Sequence, residues 1–84
     1  MAISAQDYKD MVEFGKLVAV DPAKHIDQAV EYIRMGIDTH ERLQISAAIR
    51  GGIYDHTLSG ARTESLAYVI DERLLLRDRE QYMS

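Results

Sequence analysis

The chain has 84 residues, a formal net charge of −4, no cysteine, and hydrophobic and charged fractions of 46% and 29%. These values fit one folded domain over residues 1–84, and the lack of cysteine excludes disulfides, thiolate metal sites and thiol catalysis. The acidic balance argues against a protein whose whole surface contacts phosphates, although a local basic patch can coexist with it.

The size of the chain and its hydropathy pattern indicate an oligomeric cytoplasmic protein. A single core of this size is marginal against a conformational cost of about 1.5 kcal/mol per ordered residue, so we expect further burial through oligomerisation. Residues 1–10 lack a basic region followed by an apolar run, and nowhere do about 18 apolar residues occur in succession. We therefore expect neither secretion nor insertion into a membrane.

The first half of the chain predicts two helices. Ser4 with Asp7 three residues later is typical of a helix start, and apolar residues then recur at helical spacing, which predicts a first helix over about Ala5 to Val18. Pro22 after Asp21 is typical of an N-cap followed by the first helical position, so a second helix starts there. The apolar stripe of this second helix is Ile26, Ala29, Val30, Ile33 and Ile37.

A third helix is predicted from the segment Asp38 to Glu41, which has the form of a capping box. An apolar stripe at three- and four-residue spacing follows, made of Ile45, Ala48, Ile49 and Ile53. Gly51 and Gly52 would weaken the end of this helix by about 1 kcal/mol each relative to alanine. We therefore predict a turn over Gly52 to Asp55.

The last third of the chain, Thr57 to Met83, predicts one long helix, capped by Thr57 or Ser59 and starting at Gly60 or near Ala61. At about 100° per residue, its apolar residues fall on two opposite sides. One side carries Leu66, Val69, Ile70 and Leu74, and the other carries Tyr68, Leu75 and Tyr82. A helix with two apolar faces needs two partners. One partner is the rest of the chain, and the other is a second copy or a foreign protein.

Charged residues border the second apolar side of this helix. Tyrosine and leucine side chains bordered by charged residues are typical of an interface core with a polar rim. The predicted protein interface is Tyr68, Leu75, Tyr82, Asp71, Glu72, Asp78 and Arg79. On the core-facing side, Arg73, Arg77 and Glu80 replace apolar residues after Leu74, which predicts that the helix extends beyond its own domain there.

The segment from Gln44 to Arg62 resembles the helix-turn-helix motif of many bacterial and phage regulators. In that motif Ala47 and Ala48 would lie on the first helix, Gly52 would form the turn, and Thr57 to Ser59 would open the recognition helix. The segment departs from the family pattern at three positions, which are Gly51, Gly60 and Ala61.

The resemblance implies a dimeric DNA-binding regulator whose second helix enters the major groove. The residues that would contact DNA or an anion are Arg42, Arg50, His56, Thr57, Ser59, Arg62 and Thr63. The alternative interpretation is an ordinary helical hairpin with a glycine turn, and the acidic balance favours it. Nucleic acid is therefore a possible partner that we do not favour.

Metal binding and catalysis have weak support in the sequence. None of His25, His40 and His56 lies four residues from another histidine, the spacing of a helical zinc pair, so we predict no metal site and no cofactor. His56 and Ser59 could form a catalytic dyad on spacing alone, but the sequence reveals no third group that would orient them. We therefore do not expect an enzyme.

The predicted loop from Gly51 to Gly60 contains glycines and hydroxyl side chains and is flanked by arginines. Such a loop could bind a small anionic ligand at the N-terminus of the last helix. It lacks a P-loop pattern, so a turn is favoured over a nucleotide site. A small anionic-ligand site over Gly51 to Arg62 is the second alternative for function.

Together these patterns predict an all-α fold: a small four-helix domain with a long C-terminal helix, assembled as an oligomer. The predicted function is that of a soluble, non-enzymatic protein–protein interaction module, such as an adaptor, an assembly component or an inhibitor of another protein. The first alternative is a dimeric helix-turn-helix regulator.

Overall fold

The computed structural model describes the backbone of residues 2–83 and the side chains of residues 2–82. Its four helices are α1 (Ala5–Val20), α2 (Pro22–Arg34), α3 (Thr39–Thr57) and α4 (Gly60–Met83). These described residues contain no strand, so the predicted all-α fold of four helices with a long last helix is confirmed. None of the helices is long and apolar enough to cross a membrane over the range described.

Local side-chain capping starts the first three helices. The side chains of Ser4, Asp21 and Asp38 each accept a hydrogen bond from the backbone N–H three residues later, at 3.0, 3.3 and 2.8 Å. The predicted starts of these helices are thereby confirmed. The glutamate of the predicted capping box, Glu41, accepts a hydrogen bond from the backbone N–H of Ile37 at 3.3 Å, which secures the loop before α3.

One residue predicted to lie on the stripe of α2 does not. α2 ends at Arg34, and Ile37 lies in the following loop with its side chain exposed. The other four members of that stripe are buried. They join a core to which every helix contributes, comprising Val18, Ile26, Ala29, Val30, Ile33, Ile45, Ala48, Ile49, Ile53, Leu66, Ala67 and Ile70.

Two glycines allow α1 and α3 to pack very closely. A Cβ at Gly52 would overlap the carbonyl oxygen of Val12, and a Cβ at Gly15 would overlap the carbonyl oxygen of Ile49. Each of these Cβ atoms would also lie only 3.0 Å from the Cα of the other glycine. Only residues without a Cβ therefore fit at this crossing.

The predicted turn over Gly52 to Asp55 is wrong. α3 continues through Gly51 and Gly52 to Thr57, because Gly52 serves the helix crossing and not a turn. The chain instead reverses at Leu58, whose φ of 52° is left-handed, and at Ser59. The side-chain oxygen of Ser59 accepts a hydrogen bond from the backbone N–H of Arg62 at 3.1 Å and so caps α4.

α4 does not leave its own domain directly after Leu74, as was predicted, because Arg77 and Asp78 still pair with α2 and α3; residues 79–82 beyond them are exposed. Arg73 and Arg77 form ion pairs with Asp27 and Glu31 of α2 at 3.0 and 2.8 Å. These exposed ion pairs link the second half of α4 to α2, next to Leu74, which is partly buried against the core.

We predict opposite effects of the same substitution at the two neighbouring glycines of α3. Gly52→Ala should lower the free energy of unfolding by about 1 to 3 kcal/mol, because its methyl group forces α1 and α3 apart. Gly51→Ala is the control: nothing lies within 4 Å of its Cβ position, so it should raise the free energy of unfolding by about 1 kcal/mol. Urea denaturation of the three proteins measures both values. Equal effects at the two positions would contradict the close crossing.

Candidate functional site

The outer side of α4 carries a line of large apolar side chains. Tyr68, Leu75 and Tyr82 are 67%, 61% and 92% exposed, while Leu66 and Ile70 on the opposite side are buried in the core. We refer to Tyr68, Leu75 and Tyr82 as the α4 outer seam. Because the inner side of α4 is already packed against the chain, the α4 outer seam has no cover among the described residues.

Charged side chains flank the α4 outer seam. In an ideal helix Asp71 lies on one side of it and Glu72 and Arg79 lie on the other. All three are exposed, and none of them forms an ion pair with another described residue. The surface therefore combines uncovered apolar groups with charges that are free to meet charges of a partner.

Asp78 was predicted to lie on the rim of the same interface, but its side chain, which is 31% exposed, turns toward α2 and α3. Its two carboxylate oxygens accept hydrogen bonds from Arg34 Nε at 3.4 Å and from Arg42 Nη2 at 2.8 Å. The side chain of Arg34 is only 14% exposed. Asp78 thus joins α4 to both α2 and α3 and helps to hold the α4 outer seam toward solvent.

α3 presents a second line of exposed apolar residues, which the sequence did not predict. Leu43, Tyr54 and Leu58 are exposed large side chains, and Ala47 is exposed between them. At about 100° per residue Leu43, Ala47 and Tyr54 lie within about 40° of one another on the outer side of α3, and Leu58 follows the last residue of that helix. We refer to them as the α3 outer stripe. The sequence feature that could have predicted this line is the helical spacing of apolar residues, which continues through Gly51 and Gly52.

An ion pair connects the borders of these two apolar lines. Arg50 Nη2 lies 3.0 Å from Glu64 Oε2. In helical projection Arg50 is about 40° from Tyr54 on α3, and Glu64 is about 40° from Tyr68 on α4. The α3 outer stripe and the α4 outer seam therefore flank this ion pair on one side of the molecule.

Most residues predicted to contact DNA or an anion have structural partners. Arg42 and Arg50 form ion pairs with carboxylates of α4. Thr63 is buried, and its Oγ1 donates a hydrogen bond to the carbonyl oxygen of Ser59 at 2.8 Å and lies 3.3 Å from Thr57 Oγ1. These hydroxyl groups secure the turn between α3 and α4. The remaining two, His56 and Arg62, are exposed.

The predicted loop from Gly51 to Gly60 is wrong. α3 includes residues 51–57, and only Leu58 and Ser59 separate it from α4. The glycines that were expected to surround an anion therefore belong to a helix. The geometric basis of the helix-turn-helix resemblance is lost for the same reason, since its turn was assigned to Gly52.

The three histidines are not grouped. His25 packs edge-on against Phe14 with ring centroids 5.7 Å apart, and its Nδ1 lies 3.0 Å from the carbonyl oxygen of Asp21. His40 and His56 are exposed near opposite ends of α3. Among residues 2–83 no three His, Asp or Glu side chains are arranged to hold a metal ion.

Comparison of the chain with protein-family models, with curated proteins and with solved structures finds no match. The surface of the molecule is therefore the guide to its function.

Two carboxylates of α4 should differ in their contribution to stability. Asp78→Asn should lower the free energy of unfolding by about 1.5 to 3 kcal/mol, because the poorly exposed Arg34 loses a charged acceptor. Glu64→Gln is the control and should cost below about 1 kcal/mol, because the Arg50–Glu64 pair is solvent-exposed. Urea denaturation of both variants provides the comparison. A smaller loss for Asp78→Asn than for Glu64→Gln would contradict the anchoring role of Asp78.

Proposed function

We propose that this protein is a small, non-enzymatic protein–protein interaction module that binds its partner through the outer face of α4. The observation that carries the proposal is the alignment of Tyr68, Leu75 and Tyr82 on the solvent side of a helix whose other side is packed. Single exposed apolar residues are ordinary. A row of large ones with a charged border is typical of an interface core and rim.

The energetics indicate that binding covers more than the α4 outer seam. Covering a large apolar side chain contributes about 1.5 to 3 kcal/mol, whereas association costs about 4 to 15 kcal/mol. Three side chains alone give at best weak binding. The α3 outer stripe is the adjacent apolar surface, so a partner that also covers Leu43 or Tyr54 gains the additional burial. The footprint we propose therefore spans both helices.

A surface of this kind fits an adaptor, an assembly component or an inhibitor of another protein. We propose that it acts in the cytoplasm, in keeping with a sequence in which about 18 apolar residues never occur in succession. DNA binding receives less support than it did from the sequence, because the helix-turn-helix turn is absent at Gly52 and two of the candidate arginines are engaged in ion pairs.

Site-specific photocrosslinking in the native host tests the proposal. A photoreactive amino acid at Ser65, an exposed uncharged position beside the α4 outer seam, should form a covalent adduct with a protein. The same group at Gln28, which is exposed on α2, is the control position and should form none. Leu75→Glu combined with the Ser65 probe should abolish the adduct, because a charge would be buried without a partner. No adduct from Ser65, or equal adducts from both positions, would reject the proposed function.

A mobility-shift assay tests the DNA-binding alternative. We expect no specific retardation of duplex fragments, including the region around the protein's own gene, because the net charge of −4 opposes contact with phosphates. Arg62→Ala is the informative variant, since Arg62 is an exposed candidate contact that forms no ion pair with another described residue. A band that survives nonspecific competitor and disappears with Arg62→Ala would replace the proposal with a DNA-binding function.

A further inference from the structure

We propose that the partner of the α4 outer seam is a second copy of this chain, docked antiparallel about a two-fold axis at Leu75. This inference rests on the proposed function and names its partner. A symmetric dimer requires one surface that is complementary to itself, so that each contact occurs twice. The spacing of the apolar residues and the placement of the charges on α4 both meet this requirement.

The apolar residues are arranged symmetrically about Leu75. Tyr68 and Tyr82 lie seven residues before and after it, which places each about 10 Å from Leu75 along the helix axis. A two-fold axis perpendicular to α4 at Leu75 would place Tyr68 opposite Tyr82 of the other copy and Leu75 opposite its own equivalent. All three exposed side chains would be covered in one arrangement.

The charges beside the α4 outer seam are complementary in the same arrangement. In helical projection Glu72 and Arg79 lie about 40° and 20° from Tyr68, on one side of the α4 outer seam. A two-fold axis perpendicular to α4 places Glu72 and Arg79 of both copies on the same side of the interface. It also makes the two helices run in opposite directions. Glu72 would then lie opposite position 78 of the other copy. Arg79 of that copy is only about 1.5 Å away from this position along the helix axis. Symmetry would form this Glu72–Arg79 pair twice.

A parallel dimer lacks this complementarity. Its two-fold axis runs parallel to the two helices. Residues on one side of the α4 outer seam would therefore meet residues of similar number on the other side of the seam in the second copy. Glu72 would meet Asp71 of the other copy, which is a contact between like charges. Arg79 would meet Asp78, whose carboxylate already binds two arginines of its own chain. In the antiparallel dimer the acidic residue that approaches Asp71 is this same neutralised Asp78.

A charge-exchange experiment tests both the partner and its direction. Glu72→Arg and Arg79→Glu should each weaken the homodimer at least about tenfold, because like charges then face each other. An equimolar mixture of the two variants should form a heterodimer, and the double variant should form a homodimer, because opposite charges are restored. Sedimentation equilibrium measures each dissociation constant. Arg62→Glu is the matched control, with the same charge change on another side of α4, and should leave dimerisation unchanged. Far-UV circular dichroism confirms that each variant is folded.

A distance measurement gives an independent readout of direction. Because the chain has no cysteine, Ser65→Cys introduces a single site for a spin label. The two labels should be about 30 Å apart or more in the antiparallel dimer, and about 10 Å apart in a parallel one.

The outcomes separate this inference from the function on which it rests. The inference is supported if the wild type dimerises, if the mixture and the double variant both regain dimerisation, and if the two spin labels lie at the long distance. A dimer without restoration, or with the short distance, overturns the antiparallel arrangement. A chain that stays monomeric at about 1 mM, where even a millimolar dimer would be populated, overturns the second copy as partner. In that case a Ser65 adduct with a different protein would still support the proposed function, and no adduct would reject both.

Discussion

The close approach of α1 and α3 at Gly15 and Gly52 determines the arrangement of the other helices. The backbones touch where both residues lack a Cβ, and α3 runs through this crossing as one continuous helix from Thr39 to Thr57. One side of α3 is buried in the core from Ile45 to Ile53, and the opposite side is left to solvent. The same continuity places Arg50 beside Glu64 and puts the turn into α4 at Leu58.

α4 is held by two kinds of interaction that divide its length. Leu66 and Ile70 of the first half are buried in the core, whereas Arg73 and Arg77 of the second half form ion pairs with α2. Exposed ion pairs contribute little individually, so the second half also depends on Leu74, which packs against the core, and on Asp78, which pairs with Arg34 and Arg42. Since both halves are held from the same side, the orientation of α4 is set along its length. The α4 outer seam is consequently an exposed surface of the folded domain and not part of a detached helix.

The starts of α1, α2 and α3 could be predicted from the sequence because capping is local, involving a side chain and an amide three residues away. Gly52 was misassigned because a glycine at a helix crossing and a glycine in a turn have the same local signal. Only the distant Gly15, in another helix, distinguishes them. The inward role of Asp78 was equally hidden, since its two arginines lie 44 and 36 residues away in sequence. Leu58 is the converse case, because tertiary structure places a non-glycine residue in a left-handed conformation that local preference would give to glycine.

Leu58 also links the fold to the proposed function. A leucine in the left-handed region costs about 1 to 2 kcal/mol relative to glycine, and its side chain is 76% exposed, so it gains little from burial in the isolated chain. The cost of the left-handed backbone and the small gain from burial both disfavour leucine at this position of the described fold. A partner that covers the α3 outer stripe would bury Leu58 beside Tyr54 and offset that cost. The same argument holds for the α4 outer seam, because a chain of 84 residues has a marginal core. Burial of its exposed apolar residues on association would therefore contribute to stability and to function at once.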